Sequence, residues 1–117
     1  METVLCDLPL EMVSRREGKF MILRAIRETC DQHQFRCIPA YPAGLMPNKR
    51  RGKITLVCCG GRGRWKELFA IQVDSTNRQN SLDKLVVMKE RGFTAVWVRW
   101  KTEVKHHIPD GIVLIEL

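Results

Sequence analysis

The sequence predicts an α/β domain in which a small mixed sheet carries a helix on each side. Three observations lead there. Ala70 to Trp100, AIQVDSTNRQNSLDKLVVMKERGFTAVWVRW, reads as an apolar strand, a polar turn, an amphipathic helix, a stopping glycine and a second apolar strand. Strand, helix and strand in that order close as a right-handed crossover, which makes the two strands parallel neighbours. KITLVCC (Lys53 to Cys59) and ELFAIQVD (Glu67 to Asp74) are β-rich runs joined by glycines and a short basic turn, so they form an antiparallel pair. Upstream, Phe20, Leu23, Ile26 and Cys30 recur at helical spacing.

Taken in order, residues 1–15 form an arm or a helical turn. Glu17 to Cys30 is the first helix, its apolar face made by Phe20, Leu23, Ile26 and Cys30 and widened by Met21, Ile22 and Ala25. A polar break at Asp31, Gln32 and His33 leads into FRCIPAY, a short strand interrupted by Pro39. Tyr41 to Arg51, with Pro42, Gly44, Pro47 and Asn48, is a loop. The antiparallel pair follows. Asn80 caps the second helix, with Asp83 at the third helical position as in a capping box, and Leu82, Leu85 and Val86 form its buried side. Gly92 ends that helix in the left-handed conformation that costs glycine little. Phe93 to Trp100 is a strand, and GIVLIEL closes the chain as a last strand or a helical turn. Neither a repeat nor a linker divides the sequence, so residues 1–117 make one domain.

Hydrophobic residues make up 44% and charged residues 28%, a globular balance that excludes global disorder. No apolar run approaches the roughly 20 residues that cross a membrane, and the first residues lack a secretory pattern. The expectation is a soluble, cytoplasmic protein without a membrane partner. Five cysteines, Cys6, Cys30, Cys37, Cys58 and Cys59, are odd in number and contain no Cys-x-x-Cys pair. That argues for reduced, mostly buried thiols rather than a disulfide framework. Cys58 and Cys59 point to opposite faces of a strand, and the spacing to His33, His106 and His107 gives zinc no support.

The charge is concentrated. Lys49 to Lys66 holds seven basic residues and no acidic one, while the whole chain carries +7, so the remainder sums to zero. Such a concentration calls for an anionic partner, and nucleic acid is the commonest large one. Arg50, Arg51, Arg62 and Arg64 suit backbone phosphates, since guanidinium groups meet phosphate oxygens bidentately. Lys49 and Lys66 add point charges beside them. Trp65, between Arg64 and Lys66, either stacks on a base or covers the end of the core.

Gln72 and Asp74 lie two apart and therefore on one face of an otherwise apolar strand, which marks them as site residues. The alternatives are that Asp74 caps the STNRQN turn and that Gln72 is structural. Lys53 either pairs with Asp74 or a phosphate, or is an exposed strand-end lysine.

FAIQVDSTNRQNSLDKLVVMKERGFTAVWVRW resembles the second catalytic strand, helix and Gly-aromatic strand of the restriction-endonuclease-like PD-(D/E)xK superfamily, nearest to its small very-short-patch-repair-like nucleases. The resemblance implies an α-β-β-β-α-β core. It places the family's acidic pair on Gln72 and Asp74 and its additional helical glutamate on Glu17. Arg78, Asp83, Lys84 and Arg99 fall where members put residues around the phosphate. In active members the carboxylates hold a divalent cation that activates water. Here Gln72 is neutral, and the preceding strand offers Lys53 and Thr55 where an aspartate is expected. The implied function is nucleic-acid binding, DNA foremost, by a catalytically degenerate nuclease-like domain without a cofactor. One alternative is an active endonuclease using Mg²⁺ or Mn²⁺ on Asp74 and Glu17, with Gln72 and Lys53 completing the catalytic set. The other is a dimeric interaction module in which Trp97, Trp100 and IVLIEL pair across a two-fold axis. Compact domains with eroded sites of this kind are common in mobile genetic elements.

Overall fold

Side-chain alternation and helical periodicity are both realised in a five-stranded mixed sheet between helices. The computed structural model describes residues 2–11, 13–45, 51–60, 67–76, 79–101 and 107–117. A short helix α1 (Glu2–Cys6) precedes the long helix α2 (Arg15–Gln32). Strands β1 (Arg36–Leu45), β2 (Arg51–Gly60) and β3 (Glu67–Asp74) form an antiparallel meander. Helix α3 (Gln79–Glu90) then leads to β4 (Thr94–Arg99), parallel to β3, and β5 (Ile112–Glu116) lies parallel to β4. Spatial order follows chain order, β1-β2-β3-β4-β5. The run α2-β1-β2-β3-α3-β4 is the expected α-β-β-β-α-β succession.

Two apolar layers enclose the sheet. Ile22, Ala25, Ile26 and Cys30 of α2 pack with Leu56, Cys58, Ile71, Val73, Val96 and Val98. On the other side Leu82, Leu85 and Met88 of α3 pack with Val57, Ala70, Ala95 and Trp97. Consecutive residues of β3 and β4 therefore serve opposite layers, which explains why both strands are apolar almost throughout. Cys58 and Cys59 also divide between the two layers, as alternation requires.

The first helix starts earlier than its apolar pattern suggested, because the Ser14 hydroxyl accepts the backbone N–H of Glu17 at 3.2 Å and caps it. Its buried stripe runs Gly18, Ile22, Ala25, Ile26 and Cys30. Phe20, expected on that face, lies two residues and roughly 200° around from Gly18 and is 66% exposed. The residues before α2 are docked: Leu5 is buried, and Leu8 and Leu10 pack against the α2 layer.

Of the loop expected from Tyr41 to Arg51, residues 41–45 are instead the second half of β1, Arg51 opens β2, and residues 46–50 lie outside the described residues. Proline is tolerated in β1 because it is an edge strand that, among the described residues, pairs with β2 alone. A register shift between Pro42 and Gly44 absorbs the ring geometry, with Gly44 at φ +92°. At α3 the helix begins at Gln79, so Asn80 sits inside the first turn rather than capping it. Gln79 Nε2 donates to Asp83 Oδ1 at 3.3 Å, one turn on, in place of the expected Asn80 box. Gly92, at φ +93°, ends α3 as expected. No helix among the described residues is long and apolar enough to cross a membrane.

Candidate functional site

The site marked by Gln72 and Asp74 lies where β2 begins and β3 and β4 end. Backbone pairing between β2 and β3 stops at Leu56 and Ile71. Beyond it the strands are joined by side chains. Gln72 Oε1 accepts the backbone N–H of Thr55 at 3.1 Å, and the Thr55 hydroxyl accepts the backbone N–H of Val73 at 3.3 Å. A backbone N–H can meet only an acceptor, so this bond fixes the Gln72 amide and turns its Nε2 toward Asp74. That nitrogen donates to Asp74 Oδ1 at 3.5 Å, and Trp97 Nε1 donates to Asp74 Oδ2 at 2.8 Å. Gln72 and Asp74 are only 5% and 8% exposed. The result is a closed polar string, Thr55–Gln72–Asp74–Trp97, spanning three strands.

Arg99 completes it. It pairs in register with Asp74 on one side and Glu116 on the other, and it is 1% exposed. Its guanidinium lies 4.7 Å from the Trp97 ring centroid and donates to the carbonyl of Thr76, pinning the segment after β3. Burial draws the Arg99 pKa below that of an ordinary arginine, while Asp74 and then Glu116 oppose the shift. The sequence placed Arg99 around a phosphate; the structure places it in the interior, because position 99 shares the α3-facing side of β4 with Trp97.

The other sequence-derived residues are more scattered. Glu17 is exposed in the first turn of α2, which covers the sheet face opposite to that of Asp74. Lys53 is exposed at the start of β2, and its carbonyl accepts from Lys84 Nζ at 3.0 Å. Arg51 is exposed two residues earlier. Asp83 is occupied with Gln79. Lys49, Arg50, Arg62, Arg64, Trp65, Lys66, Arg78 and His106 lie outside the described residues. Trp97 and Trp100, 0% and 2% exposed, are buried within the core of the chain.

Compared with family models, curated proteins and solved structures, the chain finds no match in any of the three. Its chemistry must be read from its own geometry. A hard divalent cation needs several anionic oxygens with free lone pairs. Asp74 instead takes an N–H on each oxygen, its neighbour Gln72 presents an amide nitrogen, and a guanidinium lies across the strand. These residues do not fit Mg²⁺ or Mn²⁺.

One cluster had no signal in the spacing. Cys30, Cys37 and Cys58 converge beneath the C-terminal end of α2, with their sulfurs within 4.8 Å of one another. Burial pushes the Cys30 thiol up to about 11 and shifts Cys58 in the same direction. The β1–β2 register sets Cys37 directly opposite Cys58, and the packing of α2 on that face of the sheet adds Cys30. No local motif encodes that register.

Proposed function

We propose that the chain binds nucleic acid, DNA foremost, using a restriction-endonuclease-like fold whose catalytic position has become structural. The observation that carries this reading is the closed Thr55–Gln72–Asp74–Trp97 string, in which the Gln72 carbonyl and both Asp74 oxygens already accept N–H groups from their neighbours. Binding is supported by charge. Seven basic and no acidic residues lie between Lys49 and Lys66. Of these, Arg51 and Lys53 stand exposed at the start of β2, at the end of the sheet where Arg15 of α2 also reaches Ser75. Arg16 and Lys19 extend the same basic character along the exposed side of α2.

The test is retardation of labelled duplex, nicked, branched and single-stranded DNA, and of RNA, with Mg²⁺ or Mn²⁺ present. Intact, retarded DNA whose affinity falls steeply with salt is the expected result. Replacing Arg50, Arg51, Arg62 and Arg64 by alanine should flatten the salt dependence by about 0.9 in log–log slope for each phosphate left without its cation. Cleavage that disappears in Asp74→Ala would establish the endonuclease reading instead. Neither retardation nor cleavage would shift the function to a protein partner, with sedimentation then testing a homodimer.

A further inference from the structure

The three converging cysteines are independent of the nucleic-acid reading and sit on the opposite face of the sheet from the Asp74 string. Cys30 Sγ lies 3.3 Å from Cys58 Sγ, and Cys37 Sγ lies 3.5 Å from the same atom. A tetrahedral zinc with bonds of about 2.3 Å sets its thiolates about 3.8 Å apart. The observed sulfurs are thus within a few tenths of an ångström of that spacing for two of the three pairs. Each comes from a different element: Cys30 from the last turns of α2, Cys37 from β1 and Cys58 from β2. The remaining cysteines are elsewhere, Cys6 exposed near the amino terminus and Cys59 in the α3 layer.

The surroundings offer access. A cavity of about 470 Å³ is lined by Cys30 and Cys58 and also by His33, Phe35 and Phe69. On the other side, Cys37 borders a depression of about 390 Å³ shared with Arg27, Asp31 and Arg36. Three thiolates around a divalent ion leave one net negative charge, and the two arginines outweigh Asp31 by one positive charge that offsets it. Thiolate sulfur favours soft or borderline cations over Mg²⁺ and Ca²⁺.

We propose that Cys30, Cys37 and Cys58 form a zinc site, three thiolates closing one side of a tetrahedron whose fourth position faces the cavity shared by His33. Three thiols each release a proton to solvent as the ion enters, and neither sulfur nor metal changes oxidation state. The ion ties the proline-containing edge strand β1 to the end of α2 and to β2. It thereby stabilises an edge that backbone pairing holds from one side only.

The test uses the reduced, chelator-stripped full chain, titrated with Zn²⁺ against a chromophoric chelator and with Co²⁺ as the spectroscopic probe. The expected result is one equivalent bound, an intense thiolate-to-cobalt charge-transfer band, and a raised melting temperature. Mass-mapped alkylation should show Cys30, Cys37 and Cys58 protected by zinc while Cys6 is modified equally with and without it. Cys37→Ser, on the edge strand, should weaken binding by about 100-fold or more, beyond the effect of an outer-shell change, whereas Cys6→Ser should leave it unchanged. Should Cys37→Ser fail to fold, the wild-type protection pattern decides the matter. Absence of the charge-transfer band, unaltered alkylation of the three cysteines, or uptake of Cu(I) without zinc or cobalt would overturn the assignment.

Discussion

The indole N–H of Trp97 donates to Oδ2 of Asp74 at 2.8 Å, tying the last residue of β3 to the middle of β4 inside the α3 layer. The bond connects one of the two buried tryptophans to the residue that most resembled a catalytic ligand. Trp97→Phe retains most of the ring and deletes the donor, leaving a buried carboxylate oxygen unsatisfied. Urea unfolding should show a loss of about 1–3 kcal/mol. An unchanged midpoint would mean that the bond does not hold Asp74 in place.

Arg99 gives a second separation of structural from functional roles. Its guanidinium stacks on Trp97, donates to the Thr76 carbonyl and lies between Asp74 and Glu116 in register. Arg99→Met should destabilise by about 3 kcal/mol, because it strands the buried Asp74 carboxylate without its cation. Arg99→Lys should recover only part of this, since an ammonium lacks the flat face that stacks. DNA affinity of the folded fraction should stay unchanged in both. A fall in affinity at unchanged stability would put Arg99 back beside phosphate.

The crossover from β3 to β4 was legible because its punctuation is local: a polar turn, one helix and Gly92 at positive φ. The Gln72–Asp74 pair was legible as a polar interruption on one strand face, and alternation alone placed the two side chains together. Their partners were not, since Thr55 and Trp97 reach them only through the β2–β3 and β3–β4 registers. β1 was half hidden because Pro39 and Pro42 signal a loop unless the strand is known to lie at an edge. Phe20 misled for a different reason. A helix with apolar residues on two sides does not say which side is buried until Gly18 is seen to admit a neighbour.

That neighbour is Trp100. A methyl group built on Gly18 would overlap the Trp100 ring, far inside van der Waals separation. Gly18→Ala should therefore cost about 1–3 kcal/mol through overpacking, although alanine is the better helix former. Gly18→Ala combined with Trp100→Leu should lose less than the sum of the single changes. Additive losses in thermal or urea unfolding would show that α2 does not rest on this ring.

Gln72→Glu tests whether the acidic pair of an active nuclease can be restored. The new carboxylate still accepts the Thr55 N–H, but it faces Asp74 Oδ1, where the amide nitrogen now donates at 3.5 Å. Two buried carboxylates resist joint ionisation, so the pKa of the glutamate rises above its unfolded value. Stability should then match wild type at acid pH, where the group is protonated in both states, and fall behind as pH rises from the unfolded value toward the folded one, above which the deficit is complete. At neutral pH the deficit should be about 1–3 kcal/mol. Millimolar Mg²⁺ or Mn²⁺ should leave that deficit in place, because Trp97 still occupies the second Asp74 oxygen and Arg99 still lies across the strand. Rescue of the melting temperature by either cation, accompanied by cleavage of DNA, would overturn the reading of a structural site and place this chain one substitution from catalysis.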